Sequence, residues 1–515
     1  MTVEQAAPFT NPIIPGFYPD PSICRVGETF VLVASSFEYF PAVPVFTSTD
    51  LVNWSPAGHA LPTVNHVDLA GSGPSKGIYA STIRSHGGRI HVVGTNVDVP
   101  GQFLVSAESP RGPWTLPIWV DQQGIDPSLF IDDDGTVYLQ STVEPEPGGV
   151  HEERPSFERG IQQSVIDLAT GEILDRPRFI WGGSGGRFPE APHMYKREGW
   201  YYLMLAEGGT EAGHMITMGR ARSPWGPFEP APANPLLSHR SSAHPFQSIG
   251  HADLVELEDG SWWMVCLGTR PHRQWHHLGR ETFLVPVDWS GEWPVLGVDG
   301  RVPVVADGPA LVRAPSPARQ AREVFDGAAL DPARWVTVRT PKPETISVSS
   351  NPGRLTLVGA TARLDDPDAT FVGQRIRQPY TAIASGMTVA DAPSGEAGLT
   401  IRSDETHRID IGVEVRGGSP YLVARRCVGG VTDDICVASP VNSVVLTALV
   451  HPDFTRVAAI DANGETLLEQ VLATRYLSSE VSGSFTGSIA GLYAVGSAVA
   501  TFDWFEHDGH DEGGG

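Results

Sequence analysis

Three acidic residues begin short segments of similar composition in the N-terminal half of the chain. The segments are Asp20-Pro21-Ser22-Ile23, Asp126-Pro127-Ser128-Leu129 and Glu190-Ala191-Pro192-His193. Hydrolysis of a glycosidic bond uses two carboxyl groups, one that protonates the leaving oxygen and one that activates water or attacks the sugar. A third carboxylate near the acid raises its pKa by like-charge repulsion and keeps its proton available near neutral pH. The three acids are therefore candidates for acid–base chemistry on a sugar.

A repeat in the sequence indicates how the fold brings these acids together. Each acid stands seven to nine residues before a glycine that opens an aromatic or β-branched run, and Ala80 and His251 stand in the same place before two further glycines. The five glycines are separated by 61, 47, 64 and 61 residues, which is room for a four-stranded antiparallel sheet with its loops. Five such sheets predict a five-bladed β-propeller, with the lead residues gathered around its axis.

The rest of the chain predicts a second all-β domain. A Pro- and Ala-rich stretch over residues 313–323 is typical of a linker and ends the propeller assigned to residues 1–312. Alternating strand patterns over residues 324–508 predict a β-sandwich. Residues 509–515 have nothing to bury and are predicted to form a disordered tail.

Composition excludes several classes of partner. The 515 residues carry a formal charge of −24, which repels nucleic acids and anionic membrane surfaces. No stretch approaches the roughly 20 apolar residues of a membrane span. The N-terminal residues show neither a basic region nor an apolar segment of a secretory signal, so a cytoplasmic location is expected unless a leader has been removed.

Five ordered motifs carry a resemblance to a known family. They are NPIIPGFYPDPS at residues 11–22, GIDPSLFIDDDG around Asp126, FPEAPHMYK around Glu190, GHADLVE around His251 and HHLGRETF around Arg280. Together they resemble glycoside hydrolase family 43. Phe485-Thr486-Gly487 and Phe502-Asp503-Trp504-Phe505 resemble the concanavalin-like β-sandwich domain that accompanies the β-xylosidases of that family, so the resemblance covers essentially the whole chain.

The resemblance implies an inverting enzyme that removes xylose from the non-reducing ends of β-1,4-xylo-oligosaccharides. By the same resemblance Asp20 would be the general base, Glu190 the general acid, and Asp126 the residue that tunes and orients the acid. Arg280 would hydrogen-bond the sugar and help set the charge state of the pair. No cofactor is required, but relatives often hold a water-ligated calcium near the position of His251, and they often assemble into dimers or tetramers.

Aromatic residues are expected to shape the pocket. By resemblance, Phe37 forms one wall, and Phe485 from the second domain closes the pocket so that cleavage is restricted to chain ends. Relatives frequently carry Trp-Ala-Pro where this chain has Tyr79-Ala80-Ser81. Tyr79 is expected to line the pocket in its place, and the balance between xylosidase and α-L-arabinofuranosidase activity stays open.

Other interpretations compete with this one. An Asp-Pro-Ser segment on its own is an ordinary turn, and His251 could be held by water instead of supporting calcium. The main activity could be on arabinofuranosides or another pentoside. A third hypothesis is a propeller that binds sugars without cleaving them, with a lectin-like sandwich. The trio of acids at corresponding positions disfavours it, because binding alone does not call for three acids in one pocket.

Overall fold

The chain folds into two all-β domains. The structure is a computed structural model, and it describes residues 7–99, 101–144, 159–311, 313–316, 322–390, 393–439 and 441–511. Within these residues, five four-stranded antiparallel sheets follow one another from Ser22 to Leu296. The first strands of successive sheets contact each other, and the first strand of the fifth sheet contacts that of the first. The sheets are therefore the blades of a closed five-bladed propeller, as the repeat predicted.

Each blade is built from four strands in sequence order. The strands of blades 1 and 2 are Ser22–Val26, Thr29–Val33, Ala42–Ser48, Ser55–Leu61, Ile78–His86, Arg89–Asn96, Gln102–Ala107 and Ile118–Val120. Those of blades 3, 4 and 5 are Ile125–Ile131, Val137–Val143, Gly160–Val165, Arg178–Trp181, Glu190–Arg197, Trp200–Glu207, Met215–Ala221, Glu229–Pro230, Gln247–Glu256, Trp262–Thr269, Glu281–Asp288 and Val295–Leu296.

The N-terminal segment fastens the fifth blade to the first. Pro8–Thr10 pairs with Val305–Asp307, and the side chain of Asn11 exchanges hydrogen bonds with the backbone of Leu284 in blade 5. Buried apolar residues of both blades, among them Leu32 and Val265, then pack into one cluster. This packing closes the ring, and no strand among the described residues is shared between blades.

The second domain is a sandwich of two sheets. One sheet contains Arg322–Glu323, Ile346–Ser347, Leu355–Val358, Val499–His510, Tyr380–Val389, Ser443–Val450, Thr455–Ile460 and Thr466–Leu472. The other contains Val431–Ala438, Ser419–Val428, His407–Arg416, Ser394–Arg402, Ile489–Val495, Thr370–Arg375, Val336–Val338 and Tyr39–Phe40. Tyr39–Phe40 belongs to the propeller segment, so the two domains share a sheet. Short helical turns lie at Pro343–Thr345, Thr474–Leu477 and Ser479–Ser482.

Two predicted boundaries differ from the structure. Arg322–Glu323, assigned to the linker, pairs with Glu506 and Phe505 of the last strand. That strand continues to His510, beyond the predicted start of the tail, because Gly509 and His510 pair with Thr381 and Tyr380 of the neighbouring strand. Residues 317–321 and 512–515 lie outside the described residues. In the part of the chain that the structure covers, no helix is long and apolar enough to span a membrane.

Candidate active site

The backbone at the start of the innermost strands explains how the lead residues reach the axis. Pairing between the first and second strands shifts register next to Asp126, Glu190 and His251. Such β-bulges insert an extra residue and re-aim its side chain. Asp20, Asp126 and His251 also have positive φ values of 54°, 51° and 44°, a conformation that costs energy for residues other than glycine. The strand ends are therefore bent where the lead side chains enter the funnel.

Asp20 is buried close to Arg280 and Ser35. Its Oδ2 accepts a hydrogen bond from Ser35 Oγ at 2.5 Å, and its Oδ1 accepts one from Arg280 Nη1 at 3.0 Å. Burial alone would raise the pKa of Asp20, but the charge of Arg280, aided by the hydrogen bond from Ser35, lowers it below the usual value. Asp20 is therefore ionised at neutral pH, as a general base must be.

Asp126 and Glu190 form an interacting pair of carboxyl groups. The Oδ2 atom of Asp126 accepts a hydrogen bond of 3.2 Å from the backbone N–H of Ala191, next to Glu190 in the chain. Burial, the charge of Glu190 and the charge of Asp20 raise the pKa of Asp126 well above its usual value. Burial also raises the pKa of Glu190, although Arg159 opposes it. The pair thus retains a proton at a pH where an isolated carboxyl group has lost it.

Arg159 is a site residue that the sequence analysis missed. Its Nη1 donates a hydrogen bond to Glu190 Oε1, and its Nη2 lies 2.6 Å from Glu144 Oε1. The guanidinium also lies over the ring of Phe188, 5.0 Å from its centre. Arg159 stands outside the repeated lead segments, so no motif or spacing marks it in the sequence.

Arg280 joins the base to the second domain. Besides Asp20, its Nη1 donates to Thr210 Oγ1 at 3.0 Å, and its Nη2 donates to the backbone oxygen of Phe485 at 3.3 Å. The guanidinium of Arg280 lies 5.4 Å from the ring centre of Phe37. Arg280 therefore fixes the base, touches the aromatic wall and holds the loop that carries Phe485.

The three predicted aromatic residues lie together. The ring centre of Phe37 is 5.1 Å from that of Tyr79 and 6.1 Å from that of Phe485. Tyr79 Oη donates to the backbone oxygen of Ser75 at 3.0 Å, and Ser75 Oγ accepts a hydrogen bond from the N–H of Phe485 at 2.9 Å. An apolar wall of this kind suits the carbon face of a sugar ring, while Arg280 and the acids supply polar contacts.

A cavity of about 600 Å³ adjoins the site between the propeller and the sandwich. It reaches the site at Thr210, Arg280 and Phe485, and farther out it is lined by Gln247 and Glu480 among others. The cavity therefore approaches the acids from the side of Arg280.

The donors around His251 do not form a protein-ligated calcium site. His251 Nδ1 lies 3.5 Å from Asp20 Oδ1, but Asp20 is already paired with Arg280. Burial lowers the pKa of His251, so the neutral ring offers one nitrogen, whereas calcium takes six to eight oxygen ligands. In the described ranges, no group of three or more His, Cys, Asp or Glu side chains could hold a metal ion.

Comparison with known families identifies the family of this chain. The family model for glycosyl hydrolases family 43 matches residues 9–294, and that for the β-xylosidase C-terminal concanavalin A-like domain matches residues 322–508. The chain belongs to glycosyl hydrolase family 43. It is therefore a glycoside hydrolase that acts on oligosaccharides, and the predicted family, enzyme class and architecture are confirmed.

Relatives of this family 43 hydrolase match it over nearly its whole length. A non-reducing end α-L-arabinofuranosidase of Bacteroides ovatus is 40% identical, covering 97% of this chain and 94% of the relative. A xylosidase/arabinosidase of Butyrivibrio fibrisolvens is 33% identical, covering 96% and 98%. The solved structure of Bacteroides ovatus xyloglucan PUL GH43B has a TM-score of 0.91 at 38% identity, covering 98% of this chain and 100% of that one.

Proposed function

We propose that this family 43 hydrolase releases xylose from the non-reducing ends of β-1,4-xylo-oligosaccharides with inversion at the anomeric carbon. The observation that carries the proposal is the contrast between the acids, since the pKa of Asp20 is lowered while those of Asp126 and Glu190 are raised. One ionised carboxylate and one protonated pair at a single funnel match the base and the acid of glycoside hydrolysis.

In the proposed mechanism the sugar lies between Asp20 and Glu190. Asp20, held by Ser35 and Arg280, takes a proton from a water that attacks the anomeric carbon. Glu190 gives its proton to the leaving oxygen as the glycosidic bond breaks, and Asp126, which is tied to the backbone beside Glu190, orients that acid. Inversion requires about 6.5–9.5 Å between acid and base to admit the water.

The wall formed by Phe37, Tyr79 and Phe485 supports exo cleavage. Phe485 comes from the sandwich and is held against the propeller by Arg280 and Ser75. A loop fixed in this way closes one end of the pocket, so that it admits the terminal sugar of a chain.

Substitution of the acid and the base tests the proposal. Glu190→Gln should lower kcat/KM on xylobiose by about 10²-fold or more, and much less on 4-nitrophenyl β-D-xyloside, because nitrophenolate leaves without protonation. Asp20→Asn should impair both substrates. Anomeric NMR of the first turnovers of the unchanged protein should show α-xylose, and β-xylose as the first product would overturn inversion.

Hydrolysis of α-L-arabinofuranosides is the second candidate activity. It is supported by the 40% identical relative, which is a non-reducing end α-L-arabinofuranosidase. Both pentosides present a neutral sugar to the same acids, so relative kcat/KM values on the two 4-nitrophenyl glycosides decide which activity dominates. Water-ligated calcium near His251, a dimeric or tetrameric assembly and a cytoplasmic location stay predictions. Chelator treatment, light scattering and cell fractionation test them.

A further inference from the structure

Glu190 and Arg159 do not line the cavity at Arg280, and they are more exposed to solvent than Asp20. The side chain of Glu190 is 21% exposed and that of its partner Arg159 is 25% exposed, whereas the side chain of Asp20 is 5% exposed. A leaving group must depart toward solvent, and it does so past the residue that protonates it. Because Glu190 protonates the leaving oxygen in the proposed mechanism, the leaving sugar lies beside Glu190 and Arg159.

Arg159 lies at the end of blade 3 where the pairing between the second and third strands stops. Val143 and Gly160 are the last pair between the second and third strands of blade 3. Glu144 therefore comes directly after the second strand, and Arg159 comes directly before the third. Two nitrogens of Arg159 bind Glu144 Oε1, at 2.6 and 2.9 Å. With the ring of Phe188 beneath it, the guanidinium is held in place at the edge of the site.

The contact between Arg159 and Glu190 conflicts with acid catalysis. An ion pair stabilises the carboxylate form of Glu190, whereas proton donation requires the carboxylic acid. The ion pair must therefore loosen when Glu190 is protonated in the substrate complex. The N–H groups of Arg159 that are released can then donate to a group bound next to Glu190, and a guanidinium offers five such donors in a fixed plane.

We propose that Arg159 binds the hydroxyl groups of the leaving sugar, exchanging its contact with Glu190 for the substrate and thereby favouring glycosyl over aryl leaving groups. This inference rests on the assignment of Glu190 as the general acid. Arg159 also acts as a positioning residue, because in the free enzyme it holds Glu190 at the edge of the pocket.

A pair of arginine variants tests the inference. Arg159→Gln removes the charge and most of the donors. Arg187→Gln is the matched control, because the guanidinium of Arg187 contacts the same ring, 4.5 Å from the centre of Phe188. For Arg159→Gln, kcat/KM on xylobiose should fall about tenfold more than on 4-nitrophenyl β-D-xyloside, which has no leaving sugar. Arg187→Gln should change the two substrates equally.

The pH profile of kcat/KM is a second test. It would stay unchanged if Arg159 only stabilised the fold. The charge of Arg159 lowers the pKa of Glu190, so its removal should shift the alkaline limb of kcat/KM on xylobiose upward by about 0.5–1 pH unit. Arg159→Lys keeps the charge and should return the limb toward that of the unchanged protein. Thermal unfolding of each variant separates these effects from loss of fold.

The outcomes distinguish the two levels of the hypothesis. If Glu190→Gln discriminates between xylobiose and the aryl xyloside while Arg159→Gln behaves like Arg187→Gln in both readouts, the role of Arg159 is wrong and the proposed mechanism survives. If Glu190→Gln impairs both substrates alike, the assignment of the acid fails and the inference fails with it.

Discussion

At the scale of single residues, the site works by giving similar carboxyl groups different surroundings. Asp20, Asp126 and Glu190 are all largely buried, which by itself raises a carboxyl pKa. Arg280 beside Asp20 reverses that effect at one position, while Asp126 and Glu190 repel each other and retain a proton. The division of labour between base and acid thus depends on where the two arginines, Arg280 and Arg159, are placed.

Arg280→Met tests whether Arg280 keeps the general base Asp20 ionised. Loss of the positive charge leaves burial to dominate at Asp20, so its pKa should rise and the acidic limb of kcat/KM should move to higher pH. The limb is measured on 4-nitrophenyl β-D-xyloside, which depends less on the acid. Arg280→Lys, which keeps the charge, should restore most of the shift, and an unmoved limb in Arg280→Met would contradict the role given to Arg280.

At the scale of elements, two loops meet in close backbone contact to hold Phe485 over the pocket. Gly487 lies against the turn before the third strand of blade 5, where a Cβ atom on Gly487 would come within 2.2 Å of the backbone oxygen of Leu278. The backbone N–H of Ser488 also donates to the oxygen of His277 at 2.8 Å. The position of Phe485 therefore depends on a glycine two residues away.

Gly487→Ala should displace the loop without touching an acid. The added methyl group meets backbone atoms, which cannot rotate aside, so the loop must move away from Arg280. A shift of this size should lower kcat/KM on xylobiose about tenfold or more, mainly through a higher KM. Gly291→Ala is the matched control, because a Cβ there meets only one atom, at 3.7 Å. Equal kcat/KM values in the two variants would show that the position of the Phe485 loop does not depend on Gly487.

At the scale of the whole molecule, a buried charged cluster joins the domains behind the aromatic wall. Glu38, next to Phe37, accepts a hydrogen bond from the N–H of Ser75 at 3.1 Å. Its neighbour Glu405 in the sandwich pairs with the buried Arg339 at 2.5 Å. Burial, together with the charge of Glu405, raises the pKa of Glu38 to about 8, so Glu38 is neutral at pH 7.

The raised pKa of Glu38 predicts a pH-dependent stability. The unfolded chain releases this proton near pH 4.5 and the folded chain near pH 8, so the stabilisation is complete below pH 4.5 and is lost as the pH rises to about 8. Glu38→Gln has no proton to lose at this position. Above pH 8 the free energy of unfolding of this variant should therefore exceed that of the unchanged protein by on the order of 2 kcal/mol. Urea unfolding at pH 6 and pH 9 measures the difference. Glu28→Gln, at an exposed position, is the matched control.

The sequence by itself determined the repeat architecture and most of the candidate site. The five turn glycines and the lead residues before them are local signals, because a hairpin and the strand that enters it are written in adjacent residues. A propeller repeats one such unit around an axis, so equal positions in the units must meet there. Asp20, Asp126, Glu190 and His251 could therefore be selected before any contact was known.

Only the tertiary structure decided that Arg159 accompanies Glu190 and how the two domains join. Arg159 meets Glu190 across two blades, and Tyr39–Phe40 adds to a sheet whose neighbouring strand begins almost three hundred residues later. Such contacts depend on the position and orientation of whole elements, and no short-range pattern of residue types records them. The pKa of each acid follows from these long-range neighbours, so the charge state of the site became readable only once the chain was folded.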